Sequence, residues 1–338
     1  MQLPPELQHA LERELETISS DELQRASGEL TATYRIPGNR KLSPISSQAQ
    51  RLAYTAVRMP ATYAAAHQVL SELKLRHPAV PIFSMLDLGA GPGTASWAAS
   101  RLFPEIKQVM LVELESGLIE LGKKLVMKVN LPFDLNWVQQ DLLRLETTCH
   151  DLVVLSYVIG ELAPDDLPRL IQSAWKMTAG ALAVIEPGTP AGYQRIITTR
   201  DLLIKAGANL AAPCPHVREC PMLNLPGQWC HFAARVERTS IHRRIKCGTL
   251  GHEDEKFSYV IFSRNPSSLA AARIVRHPLK HAGHVELQLC AQEGMKAETV
   301  SRKQKHLYRL ARDVKWGDSW PPSLIMRSSD QSGTTEGQ

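Results

Sequence analysis

The stretch MLDLGAGPGT, residues 85–94, constrains this chain more than any other. An apolar run from Ile82 to Leu88 ends in three closely spaced glycines and passes directly into a helical pattern through Leu102. A strand that stops in such a turn and starts a helix opens a βαβ unit, because glycine lets the backbone bend and approach a ligand with no Cβ in the way. The alternation then recurs. Gln108 to Val112 precedes a helix over Gly117 to Val129, Leu135 to Val138 follows, Asp151 to Leu155 precedes a helix over Asp165 to Met177, and Ala181 to Ile185 closes the series. Strands alternating with helices predict a parallel sheet with helices on both faces, an α/β fold of the Rossmann-like kind.

A glycine turn alone is weak evidence for a ligand, and Pro92 and Thr94 depart from the dinucleotide spacing. Two acids raise its specificity. The second strand, QVMLVELE, ends in Glu113, roughly twenty residues past the turn, where a carboxylate can accept hydrogen bonds from both hydroxyls of a ribose. VQQDLL places Asp141 just after the third strand, within reach of an adenine amino group. With these residues, the sequence resembles the class I S-adenosylmethionine-dependent methyltransferases over about residues 80–190, LDLGAGPGT being the first motif. The resemblance implies that Gly89, Gly91 and Gly93 pass close to the methionine part of the cofactor, that Glu113 holds the ribose, and that Asp141 with Leu142 flanks the adenine; Asp87, which ends the first strand, joins this cofactor-binding set.

The catalytic residues are less defined. The fourth strand, DLVVLSYVIGEL, lacks the Asn-Pro-Pro-Tyr type of motif that accepts hydrogens from an exocyclic amine, and Ser156, Tyr157 and Glu161 stand in its place as candidates to contact a substrate. A Tyr and a Glu at the rim of an α/β sheet are as often structural. No Cys lies beside that strand to serve as the nucleophile of a cytosine-C5 mechanism, since Cys149 precedes it.

Outside this region the pattern changes. Residues 5–30 read as a pair of short helices, Arg35 to Pro44 as a loop, and Ser47 to Leu75 as an Ala-rich helix broken or kinked near Pro60. After about Tyr193 the spacing loosens into a Pro- and Cys-rich segment and alternating runs, FSYVIFSR and HVELQLC, that suggest antiparallel strands. The expected organisation is a helical N-terminal region over 1–78, the cofactor-binding domain over 79–195, a small mixed α+β domain over 196–320 carrying the Cys cluster and a basic face, and a disordered tail over 321–338. With 43% hydrophobic and 22% charged residues, disorder of the whole chain is excluded. No run approaches the ~18 apolar residues needed to cross a bilayer. Met1 to Ser20 reads as an acidic amphipathic helix, so neither a targeting segment nor a membrane anchor is expected, and the location expected is cytoplasmic.

Cys214, Cys220 and Cys230 lie in APCPHVRECPMLNLPGQWCHF, a Pro-rich segment with few apolar neighbours for them, which favours a metal or cluster site. A fourth ligand must come from Cys247, Cys290, His216 or His231. Cys290 ends an apparent strand that can hold it rigidly, whereas Cys247 sits in a basic turn, RRIKCGTL; Cys290 is therefore preferred. On ligand count alone, four thiolates suit a 4Fe–4S cluster and zinc equally. The C-x3-C-x2-C spacing of radical S-adenosylmethionine chemistry is absent.

The distribution of charge is uneven. Residues 1–200 carry 19 Lys and Arg against 21 Asp and Glu, net −2, while residues 201–338 carry 20 against 13, net +7. Residues 301–316 hold six Lys or Arg against one Asp, with Tyr308 and Trp316 interleaved, and Arg302, Lys305, Arg309 and Arg312 fall at spacings of three and four that share a helical face. Such a face can track a phosphate backbone while an aromatic ring stacks on an unpaired base; Arg243, Arg244 and Lys246 form a second basic run. A solvated surface helix would show the same charges.

Over nearly all of residues 45–320 the chain resembles a narrower family, the methyltransferase-like assembly factors of the mitochondrial small ribosomal subunit and their bacterial relatives. RLAYTAVRMPATYAA, LDLGAGPGT, VELESGLIELGKKL, DLVVLSYVIGEL, VIEPGTPAGY, the Cys segment and GHEDEKFSYVIFSR carry the resemblance. It implies a methyltransferase fold with a 4Fe–4S cluster on Cys214, Cys220, Cys230 and Cys290, zinc being the alternative. It also implies binding to small-subunit rRNA during assembly, as a monomer and without a membrane, and methyl transfer that is lost or unproven.

Overall fold

A computed structural model describes residues 1–35, 45, 47–77, 81–127, 129, 131, 133–246 and 249–322. The expected loop over 36–44, Cys247 and the tail beyond residue 322 lie outside the described residues. The chain divides into two compact units, one of Met1–Ala212 with Trp229–Ser268, the other of Pro213–Gln228 with Leu269–Gln338.

The first unit opens with α1 (Pro5–Leu15), α2 (Ser20–Arg35) and α3 (Gln48–Arg76). Ser47 and Gln50 form a reciprocal capping box at the start of α3. The helix then runs through Pro60 as one element rather than two. A proline inside a helix costs about 3 kcal/mol, and α3 tolerates it because one whole face, including Leu52, Ala53, Met59, Ala64, Val69 and Leu70, is buried by tertiary packing.

The alternation then follows: β1 (Ser84–Leu88), α4 (Thr94–Leu102), β2 (Gln108–Glu113), α5 (Ser116–Val126), β3 (Asp134–Gln139), β4 (His150–Ser156), α6 (Leu167–Lys176), β5 (Thr178–Pro187), α7 (Pro190–Lys205), β6 (Asn209–Ala212), β7 (Phe232–Glu237), α8 (Ser240–Ile245) and β8 (His252–Ser263). The sheet order is β3-β2-β1-β4-β5-β8-β6, with β7 paired to β8. β1 to β5 are mutually parallel, and β8 lies antiparallel between β5 and β6. This is the strand order of the class I methyltransferase fold. Burial on both faces explains why β1 is entirely apolar apart from Ser84 and Asp87. The run FSYVIFSR therefore contributes to the main sheet and not to a separate C-terminal domain, because its inward residues Phe257, Val260, Ile261 and Phe262 complete the core beside β5.

The second unit is a small antiparallel sheet of β9 (Ala272–Ile274), β10 (Leu279–Lys280), β11 (His284–Ala291), β12 (Gly294–Ser301) and β13 (Ser319–Trp320), with α9 (Lys305–Asp313) packed on it. Val285, Leu287 and Leu289 alternate along β11 into a core shared with Val300, Leu310, Ala311 and Trp320. No helix among the described residues is long and apolar enough to cross a membrane.

Candidate functional site

The cofactor candidates named from sequence sit at the carboxyl ends of neighbouring parallel strands: the glycine turn after β1, Glu113 at the end of β2, and Asp141 and Leu142 after β3. Gly89, Gly91 and Gly93 all adopt left-handed φ, at 72°, 54° and 87°. Their surroundings separate their roles. A Cβ on Gly89 would lie 2.3 Å from Val158, a packing contact with the end of β4, and Gly93 caps α4. Gly91 meets nothing within 4 Å, so its bare face opens onto free space.

Glu113 closes the turn from the side. Its Oε2 accepts the Gly91 N–H at 2.8 Å, and its Oε1 accepts those of Leu114 and Glu115 at 2.8 and 2.9 Å. Beneath the turn Asp87 is buried and accepts the Ser96 hydroxyl at 2.9 Å. Burial pushes its carboxyl up to about 7, against the opposing hydrogen bonds from Ser96. Asp141 Oδ1 accepts the Leu143 N–H at 3.0 Å and so caps the short turn that Leu142 begins.

At the end of β4 the structure finds more than the sequence showed. Tyr157 is a non-glycine residue with φ of 61°, a strained conformation held by its N–H to Ile185 and by its hydroxyl, which donates to Glu255 at 2.9 Å. Glu255 also receives both Arg58 terminal nitrogens, at 3.1 and 3.4 Å, and the Arg58 guanidinium lies 5.3 Å from the Tyr157 ring centre. Burial and the Glu255 carboxylate keep the Tyr157 hydroxyl protonated far above its ordinary range. Nearby, Glu186, fully buried at the end of β5, pairs with Arg195 of α7 at 2.6 Å. Arg58 and Glu255 lie in two segments singled out above, RLAYTAVRMPATYAA and GHEDEKFSY, but nothing local ties either to Tyr157. Ser156 pairs with Ile185 in the sheet, and Glu161 sits in an exposed turn.

Of the thiols, Cys214, Cys220 and Cys290 belong to the second unit and Cys230 to the first. Within the second unit, the segment that starts at Pro213 is strapped to the small sheet. The Arg273 guanidinium, 1% exposed, donates to the carbonyls of Pro213 and Gly317, and Gln292 donates to the Pro215 carbonyl at 2.7 Å. That strap sets His216 Nε2 3.7 Å from Cys290 Sγ. Cys290 is held on β11, and Cys220 is buried. In the first unit the Cys230 carbonyl accepts the Ser258 hydroxyl at 2.8 Å. Cys149 lies at the opposite edge of the sheet from the glycine turn, just before β4, and donates to the Lys176 carbonyl.

The basic residues also divide. Arg302, Lys305, Arg309 and Arg312 are exposed on the second unit. The rings interleaved with them face inward: Tyr308 and Trp316 are each 9% exposed, Tyr308 accepting from Arg312 and Trp316 packing edge-on against His277. Burial takes both rings off the surface, which corrects that expectation: Tyr308 lies on the apolar stripe that α9 packs on β11 and β12, and Trp316 packs against His277. Arg243, Arg244 and Lys246 belong to the first unit, where Arg244 donates to Ser20 and Lys246 pairs with Glu253.

Comparison with known proteins gives the family. The chain is 29% identical over 304 residues to the ribosome assembly protein METTL17, mitochondrial, of Homo sapiens, matching 83% of this chain and 65% of that protein. It is 27% identical over 345 residues to the Rsm22-cox11 tandem protein 2, mitochondrial, of Schizosaccharomyces pombe, matching 84% and 44%. The chain thus spans about two thirds or less of the length of these relatives. Both are mitochondrial proteins by name, which overturns the cytoplasmic expectation. Among solved structures it is similar to an O-methyltransferase family protein from Burkholderia thailandensis, at 13% identity and a TM-score of 0.45, over 73% of this chain and 70% of that one. The family profile described as mitochondrial small ribosomal subunit Rsm22 matches residues 48–321, most of the chain, and the chain belongs to that family.

Proposed function

We propose that this chain is an assembly factor for the small ribosomal subunit that binds S-adenosylmethionine at the glycine turn and carries a thiolate-bound metal centre in its second unit. The observation that carries the cofactor reading is the open face of Gly91, closed on one side by the Glu113 carboxylate. In this reading Gly91 leaves room for the methionine part, and Glu113 and Asp141, at the ends of the second and third strands, are the acids for the ribose and the adenine. When bound, the cofactor supplies an electrophilic methyl group.

The chain's own residues at the acceptor side are committed elsewhere. Tyr157 is tied to Glu255, and Glu255 to Arg58, so the rim at the end of β4 is filled by an internal network instead of by acceptors for a substrate amine. This favours a factor that binds cofactor and subunit over an rRNA methyltransferase. Incubation with methyl-labelled cofactor and under-modified small subunits separates the two. Stoichiometric binding without label in rRNA is the expected result, and label in rRNA establishes the enzyme.

Cys214, Cys220 and Cys290 of the second unit are soft donors, which suit a 4Fe–4S cluster or zinc. Protein purified without oxygen is expected to be brown, with iron and sulfide in equal amounts. One colourless zinc per chain would assign the zinc-stabilised form instead. For the rRNA contact, exposed Arg309 and Arg312 are the residues to reverse: changing both to Glu is expected to weaken subunit binding and to lower the slope of log K against log salt by about 1–2.

A further inference from the structure

We propose that His281, His284 and Glu286 form a binding site for a divalent transition ion of the zinc class, separate from the cysteines. The three sit on the β10–β11 hairpin of the second unit. In β11, His284 and Glu286 are two residues apart and share a face. Antiparallel pairing of Lys280 with Val285 and of Leu279 with Glu286 folds His281 back over that face.

The turn is fixed by its own backbone. The His281 N–H donates to the His284 carbonyl at 3.0 Å, the Gly283 N–H to the His281 carbonyl at 2.9 Å, and the Arg302 N–H to the Gly283 carbonyl at 2.9 Å. Gly283 takes a φ of 123°, which a side chain would resist. Pre-organisation of this kind lowers the entropic cost of gathering three side chains.

The ligand geometry then favours a metal. His284 Nε2 and His281 Nε2 lie 3.3 and 3.7 Å from one carboxylate oxygen, Glu286 Oε1, and all the ligand atoms fall within 4.8 Å of one another. A tetrahedral zinc with bonds of about 2.0–2.1 Å needs ligand atoms about 3.4 Å apart. Two of the three edges are therefore already within a few tenths of an ångström of that value. The two imidazoles are stacked, with centroids 4.6 Å apart and planes 15° from parallel, so seating one ion in both ring planes requires one imidazole to turn about its side-chain torsions. Two nitrogens and one carboxylate suit zinc, copper or nickel and not calcium or magnesium, which want oxygen cages. About half of each side chain is exposed, so an ion enters directly and keeps its remaining positions for water.

Cobalt(II) titration of the full chain, followed by visible absorption and equilibrium dialysis, tests this. Imidazole and carboxylate ligation gives weak d–d bands without the intense sulfur-to-cobalt charge transfer that the cysteines would produce, and zinc(II) should abolish them. His281→Ala with His284→Ala is expected to remove one equivalent of bound ion and those bands. Glu286→Gln, nearly isosteric and on the surface, is expected to weaken binding at least about tenfold. Unchanged stoichiometry and bands in the double variant, or unchanged affinity in Glu286→Gln, overturn the site and leave only a histidine–carboxylate ion-pair cluster.

Discussion

Glu113 and Gly91 are joined by a 2.8 Å hydrogen bond from the glycine amide to the carboxylate, across 22 residues of sequence. One acid thus shapes the glycine turn and, in the proposed function, also holds the ribose. Changing Glu113 to Ala should therefore do two things together. Three backbone N–H groups lose a charged acceptor, which at about 1.5–3 kcal/mol for each charge-assisted bond, moderated by water access, gives a measurable fall in the unfolding midpoint. S-adenosylmethionine affinity by calorimetry should fall at least about tenfold, and an unchanged affinity would show that the ribose binds elsewhere.

The three glycines should respond differently to alanine. Gly89→Ala drives a Cβ to 2.3 Å from Val158 and adds overpacking, typically about 1–3 kcal/mol, to the penalty for left-handed φ. Gly91→Ala meets only the backbone penalty of about 1–2 kcal/mol, because nothing lies within 4 Å. Thermal melts without ligand should rank Gly89→Ala below Gly91→Ala, whereas Gly91→Val should abolish cofactor binding by filling that open space. Equal melting points for the two alanine variants would contradict the division of roles.

Asp87 predicts a pH dependence. Its folded carboxyl, pushed up to about 7, exceeds the ordinary value of 3.8, so the native state holds a proton that the unfolded state has released. Stability from this group is therefore greatest below about pH 4, falls as pH rises through 4–7, and is flat above. At 1.36 kcal/mol per pH unit the difference amounts to a few kcal/mol at most. Urea midpoints of wild type and Asp87→Asn at pH 5 and pH 7.5 isolate it; the wild type should lose more on going to the higher pH, and parallel behaviour would remove Asp87 as the source.

The Arg58–Glu255–Tyr157 network predicts unequal costs. Arg58→Met leaves Glu255, 14% exposed at its side chain, without its cation and should destabilise by about 3 kcal/mol. Tyr157→Phe removes one hydroxyl and should cost about 1–2 kcal/mol. Chemical denaturation of both variants checks the order, and an Arg58→Met variant as stable as Tyr157→Phe would mean that water satisfies Glu255.

What the sequence made legible follows the range of each interaction. β1 to β5 and the glycine turn were readable because period, turn residues and spacing are local properties. Glu113 and Asp141 were readable because the unit repeats with a fixed stride. Arg58 and Glu255 were not, since 197 residues separate them and only the folded sheet brings α3 to β8. The same holds for β8, whose antiparallel pattern looks like part of the following domain until its pairing with β5 is seen. Tyr308 is illegible in the sequence for another reason. On α9 the apolar and basic stripes interleave in sequence, and the aromatic belongs to the buried stripe.

The place of β8 between β5 and β6 also has a temporal meaning. β5 is complete at Pro187, but the strand that covers its edge ends only at Ser263, with all of residues 188–251 intervening. At synthesis rates of about 5–20 residues per second, that gap lasts on the order of 3–15 s. Throughout it the apolar β5 offers a row of unpaired amides and carbonyls to any neighbouring strand. A nascent chain of this protein is thus most prone to aggregate after its parallel strands have formed, and a chaperone that shields strand edges would act in that interval.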